Sequence, residues 1–70
     1  MQVFDGRKLA AMRIAAGYSR KELGEAIGAT ERIVQFWETN GRTPSATLML
    51  RLLIFLDCSP AHLLSDPEEL

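Results

Sequence analysis

Ser19 and Gly28, then Thr30 and Gly41, bracket two short runs of helix-forming residues, and this punctuation constrains the fold more than any other feature of the chain. Ser19 followed by Glu22 is a capping box: the hydroxyl accepts a backbone N–H while the glutamate reaches back to the cap. It opens a helix over about residues 20–27. Gly28 closes that helix, because without a Cβ it can turn the chain sharply at positive φ. Thr30 caps a further helix over about residues 31–39, with Asn40 and Gly41 as its stop. Leu23 and Ile27 lie four apart, and Val34 and Trp37 three apart, so each pair faces inward on its helix. Gly24 leaves room for the two helices to approach. The pattern predicts two short helices joined by a tight glycine turn.

The same grammar extends outwards. Asp5 caps a helix running to about Ala16, with Leu9, Met12 and Ala16 on one face, and Gly17 ends it in a left-handed conformation. Thr43-Pro44-Ser45 opens a fourth helix to about Leu56, with the proline in its first turn. Ser59-Pro60 repeats that device for a short fifth helix through Leu64. The segment Ser65 to Leu70 is polar and acidic and is expected to fray. No stretch alternates with period two, so no strand is expected. The reading is all-α: one domain over residues 1–64, a compact five-helix bundle, with a short acidic tail over 65–70.

Composition removes several function classes. Seventy residues make one small domain with a modest core. One cysteine allows no internal disulfide, and a reducing cytoplasm is the natural setting. No secretion signal opens the chain, and the apolar run Leu52 to Leu56 is far too short to span a bilayer, so no membrane partner is expected. Cys58 reads as a small buried hydrophobe and His62 as a surface residue; one of each makes no zinc site. No nucleophile with a base at helical spacing appears, nor a phosphate-binding glycine loop, so neither an enzyme nor a cofactor is expected. The net charge of -1 is unevenly spread. Residues 1–44 hold seven Lys or Arg against five acids, a net +2, and residues 45–70 one Arg against four acids, a net -3. Patch charge governs phosphate contacts, so the acidic end does not exclude nucleic acid.

With Val34 and Trp37 buried, Glu31, Arg32, Gln35 and Phe36 point outward from the third helix, which the glycine turn would present to a DNA major groove. At this point the sequence resembles the Cro/CI-type helix-turn-helix family, also called XRE. The resemblance runs from about Leu9 to Leu64. It rests on Met12-Arg13, Gly17-Tyr18-Ser19, Glu22-Leu23, Ile27-Gly28-Ala29-Thr30, Val34, Trp37-Glu38, Pro44-Ser45 and the closing Leu52, Leu56, Ser59 and Leu63-Leu64. It implies a five-helix domain of the phage-repressor type that binds double-stranded DNA, commonly as a homodimer and most often as a transcriptional repressor.

Carried across residue by residue, the resemblance implies a structural ion pair between Arg13 and Glu38, tying the first helix to the end of the third. It places Glu31, Arg32 and Phe36 at base-reading positions. Arg32 suits a bidentate contact to guanine, worth ~1–3 kcal/mol of discrimination. Glu31 could accept from cytosine N4 or act simply as a carboxylate at a helix N-terminus. Gln35, one turn after Glu31, could reach a base or the backbone. Arg20 stands where the family usually has glutamine, and Arg20, Lys21 and Thr30 are candidates for phosphate or flanking contacts, as are Asn40, Arg42 and Thr43 in the following loop. The family glycine normally comes one residue before Gly41.

Two departures stand out. Ile33 and Phe36 put apolar surface beside Arg32. They could meet thymine methyl groups, bind protein, or in the case of Ile33 pack partly into the core. The fourth helix carries more apolar residues than one face needs: Met49, Leu52, Leu53 and Leu56 suffice, leaving Leu50, Ile54 and Phe55 in surplus. A two-fold dimer would bury that surplus, set two recognition helices about 34 Å apart and imply a palindromic operator. The acidic tail folding back, with Leu70 helping, is the alternative cover. The function expected is a sequence-specific regulator of phage, plasmid, toxin-antitoxin or restriction-control type. The alternative is a protein-interaction module, an antirepressor or adaptor, on the same fold.

Overall fold

Four α-helices form where the caps stand. In a computed structural model describing residues 1–70, α1 spans Gly6–Ala15, α2 Arg20–Ile27, α3 Glu31–Thr39 and α4 Ala46–Leu56. Each start is closed by a side chain: Asp5 accepts from the Arg7 amide, Ser19 from Glu22, Thr30 from Ile33 and Ser45 from Leu48. Glu22 completes the capping box by accepting from the Ser19 amide at 2.8 Å. That backbone bond, with the Ser19 hydroxyl, holds the Glu22 carboxyl below its ordinary range. Gly28 adopts φ 80° at the end of α2, as its place in the turn demands.

α2 and α3 pack most intimately, α1 lies against α3, and α4 closes the other side of α2. The core is Leu9, Leu23, Ile27, Val34, Trp37, Leu52, Leu56 and Leu63, all buried, with Met12, Tyr18, Met49, Leu53, Phe55 and Cys58 partly buried around it. Burial and the neighbouring Asp57 push the Cys58 thiol upward in pKa, away from thiolate reactivity. At Gly24 an added Cβ would lie 2.9 Å from the Thr30 carbonyl carbon, so the α2–α3 approach depends on its absence. Gly6 is tighter still: its Cβ would stand 2.0 Å from the Trp37 carbonyl oxygen.

Several expectations are corrected. The fifth helix is a single 3₁₀ turn, Pro60–His62, because Leu63 and Leu64 leave it to reach the core and a strand. The His62 ring accepts the Ser59 amide at 3.1 Å, capping that turn. Strands do occur: β1, Val3–Phe4, pairs antiparallel with β2, Leu64–Ser65. Two residues per strand are too few to leave an alternating pattern. Nor does the segment after Leu64 begin free. Ser65 is buried and donates to Asp5 Oδ2 at 2.8 Å, and Arg7 Nη2 donates to the Glu69 carbonyl at 2.8 Å. Pro44 lies two residues before α4, buried, with Ser45 between them as the cap. Ala16 is exposed at the end of α1 instead of facing the core.

Asp5 sits at the junction of these ends. Burial opposes its ionisation, yet bonds from the Arg7 side chain, the Ser65 hydroxyl and the Arg7 amide together hold its carboxyl below the ordinary value.

Candidate nucleic-acid interface

Val34 and Trp37 anchor α3 by burial, and the helix period then decides what the opposite face offers. Glu31, Arg32 and Gln35 are exposed, Ile33 is 39% exposed, and Phe36 is half-buried. Ile33 therefore stays outward rather than entering the core. The Thr30 hydroxyl accepts the Ile33 amide at 3.2 Å. At the other end the Thr39 hydroxyl donates to the Gln35 carbonyl and approaches Asn40 Oδ1, setting the amide side chain at the exit from α3. Arg42 and Thr43 follow, exposed, in the loop before α4.

The face is aimed by charges beneath it. Glu38, its side chain only 1% exposed, accepts Arg13 Nε at 2.7 Å and Arg13 Nη2 at 3.1 Å. Arg13 Nη1 also donates to the Tyr18 carbonyl at 2.8 Å. This fork-to-carboxylate arrangement ties α1 to the end of α3, and the bond to Glu38 raises the affinity of the Arg13 guanidinium for its proton. Arg20 Nε joins the same carboxylate at 2.9 Å, so α2 is held by it too. The resemblance makes Arg20 a candidate for a phosphate or flanking contact; here it is engaged with Glu38, with about a third of its side chain still exposed.

Arg20 is one of five cations occupied within the fold. Arg7 and Lys8 serve the chain ends, the latter donating to the Leu64 carbonyl at 2.5 Å. Arg13 serves Glu38, and Arg51 Nη1 donates to the Ile27 carbonyl at 3.1 Å, capping α2. Lys21, Arg32 and Arg42 have neither a hydrogen bond nor an ion pair. All three lie on α2, α3 or the loop after it. Arg32 and Arg42 each stand over the Phe36 ring, at 5.4 and 5.0 Å from its centroid.

The chain that carries this two-helix unit matches known proteins over most of its length. A family model described as helix-turn-helix, HTH_3, matches residues 9–63. The chain belongs to the Cro/CI-type (XRE) helix-turn-helix family. It is accordingly a DNA-binding transcriptional regulator, of a family that is not enzymatic. Among solved structures, the restriction-modification controller C.AhdI from Aeromonas hydrophila is similar at a TM-score of 0.73 and 30% identity, over 81% of this chain and 86% of that one. The P22 c2 repressor, crystallised with a synthetic operator, is similar at a TM-score of 0.76 and 26% identity, over the same shares. No curated protein sequence matches the chain significantly.

Within this helix-turn-helix frame, the surplus apolar residues of α4 divide. Phe55 is half-buried, its ring 4.9 Å from that of Tyr18. Leu50 and Ile54 are 60% and 79% exposed, and Leu70 is itself exposed while the tail is bonded to Arg7. The tail therefore does not cover them. No helix is long and apolar enough to cross a membrane, and no group of His, Cys, Asp or Glu is placed to hold a metal. Two residues and one contact that shape the site are not among those the sequence pointed to. Gly6, the first residue of α1, had a weak signal, since glycine costs chain entropy that a close backbone approach offsets. Arg51 had one as well, being the sole charge in an apolar helix. The dual use of Glu38 had none.

Proposed function

We propose that this chain is a small homodimeric repressor that reads a palindromic operator with α3 in the major groove. The observation that carries the reading is the disposition of charge: the three cations not consumed by the fold, Lys21, Arg32 and Arg42, converge on the helix-turn-helix. Arg32 reads a base, most simply guanine through O6 and N7. Glu31, Gln35 and Ile33 contribute at neighbouring base edges. Lys21, Thr30, Asn40, Arg42 and Thr43 hold phosphates on either side and set the register. Arg20 serves the backbone only through its exposed end. The exposed Leu50 and Ile54 make the two-fold contact, and the cytoplasm is the compartment. The likeness to the controller C.AhdI and to the operator-bound P22 c2 repressor, over most of this chain, supports the reading of a DNA-binding regulator.

Selection of bound fragments from source DNA at near-physiological salt tests this. An enriched palindrome with half-sites about 10 base pairs apart is expected. Arg32→Ala is expected to lose preference at one position, whereas Arg42→Ala weakens all sites evenly and lowers the salt slope by about one. A folded protein that enriches nothing would refute the reading. It would favour a protein-docking role for the same face, to which exposed Ile33 gives some apolar surface.

A further inference from the structure

Phe36 is an unusual neighbour for two unpaired guanidiniums. It lies one turn after Arg32 on α3, while Arg42 reaches it from a loop with no regular structure. The ring is the sole side-chain partner recorded for either arginine. Both cations stand close to one centroid, so they are within about 10 Å of each other, roughly a Debye length in physiological salt. Their mutual repulsion is not relieved by an acid: Glu31, beside Arg32, forms no ion pair, and Glu38, four residues before Arg42, is taken by Arg13 and Arg20. A guanidinium attracted to a ring face keeps its N–H donors for other partners and loses part of the freedom that binding would otherwise remove.

We propose that Phe36 is a positioning residue, a platform that pre-sets Arg32 and Arg42 as a coupled pair, one for a base edge and one for an adjacent phosphate. Phe36 itself does not read a base. The inference rests on the reading of α3 as the recognition helix. It differs from that reading in assigning the aromatic ring to the arginines and not to a thymine methyl. A phosphate entering beside Arg42 relieves the repulsion between the two cations, so each contact strengthens the other.

The test uses the full chain and the tightest-binding duplex recovered by selection. Phe36→Leu keeps apolar volume and removes the π face; Phe36→Tyr keeps both. The leucine variant is expected to bind about ten-fold more weakly and the tyrosine variant within about two-fold, both with parental melting behaviour. In an Arg42→Ala background the Phe36→Leu loss should shrink to about three-fold. A direct base contact would instead cost the same ten-fold in both backgrounds, and that result overturns the proposal. Without DNA, the side-chain NMR resonances of Arg32 and Arg42 should be shifted upfield by the ring current and return to exposed-arginine values in Phe36→Leu. Unshifted resonances in a parent that binds its duplex tightly remove the platform alone. No recovered duplex removes the reading of α3, and the proposal with it.

Discussion

Replacing Arg13 by Met leaves a buried carboxylate without its main partner. The methionine retains most of the aliphatic stem, so the change falls mainly on the charge. Two hydrogen bonds to Glu38, at 2.7 and 3.1 Å, and one to the Tyr18 carbonyl, at 2.8 Å, are lost. The Glu38 side chain is 1% exposed and cannot recover them from water. Removing one member of such a pair costs about 3–5 kcal/mol. Arg20 still reaches Glu38, but from a partly exposed position where solvent screens it, so the lower end, about 3 kcal/mol, applies. A domain of this length has about 4–10 kcal/mol of total stability. Each kcal/mol moves the melting temperature by about 4–8 °C, so circular dichroism should register a fall of about 12–24 °C. Arg13→Met combined with Glu38→Met should recover at least half of that loss, since no buried charge is then left unpaired. A fall of less than about 4 °C for the single variant would refute the argument and mean that the two charges are effectively solvated.

Gly6→Ala should cost about 2–3 kcal/mol, because its Cβ meets the Trp37 carbonyl oxygen at 2.0 Å and two helix backbones must part; thermal melting reads it, and an unchanged midpoint would contradict the contact. Asp5 has a lower pKa in the fold than its ordinary 3.8, so its stabilising contribution is complete above about pH 4 and is lost as pH falls through the folded value. Asp5→Asn should cost about 1–2 kcal/mol at neutral pH and flatten the acid side of a urea-midpoint profile between pH 6 and pH 2; parallel profiles for parent and variant would sink the assignment. Ile54→Glu, at a residue 79% exposed in the single chain, should halve the sedimenting mass, leave a folded monomer by circular dichroism and abolish any rise of the melting temperature with protein concentration. An unchanged mass would mean that α4 does not join the protomers.

The helix starts were legible because each depends on a side chain and an amide two or three residues away, as with Asp5 and Arg7 or Ser19 and Glu22. The inward faces of α2 and α3 were legible for the same local reason: Leu23, Ile27, Val34 and Trp37 follow the helix period, and all four are buried. What escaped was decided by residues far apart in the chain. The β1–β2 pairing joins segments some sixty positions apart, with too few residues for a pattern. The Ser59-Pro60 signal was correctly a start, but one of a single turn, since Leu63 was needed in the core. At the candidate interface, sequence supplied which residues face outward. It could not show that Glu38 would claim Arg20 along with Arg13, or that Arg42 would cross a loop to Phe36, because both follow from the relative placement of helices.

The small β1–β2 strap sets a timescale. Closing a loop of about sixty residues is entropically unfavourable until the helices have drawn its ends together, so the strap belongs late in folding, after the local α2–α3 unit. Contacts made after the barrier slow unfolding and leave the folding rate almost untouched. The pairing of Phe4 with Leu64 thus governs how long a folded molecule survives rather than how quickly one is made. Hydrogen exchange at the Asp5 amide, bonded to the Leu63 carbonyl at 2.8 Å, reports each opening of that strap, and exchange there no faster than at core amides of α3 would mean that it opens only with the whole fold.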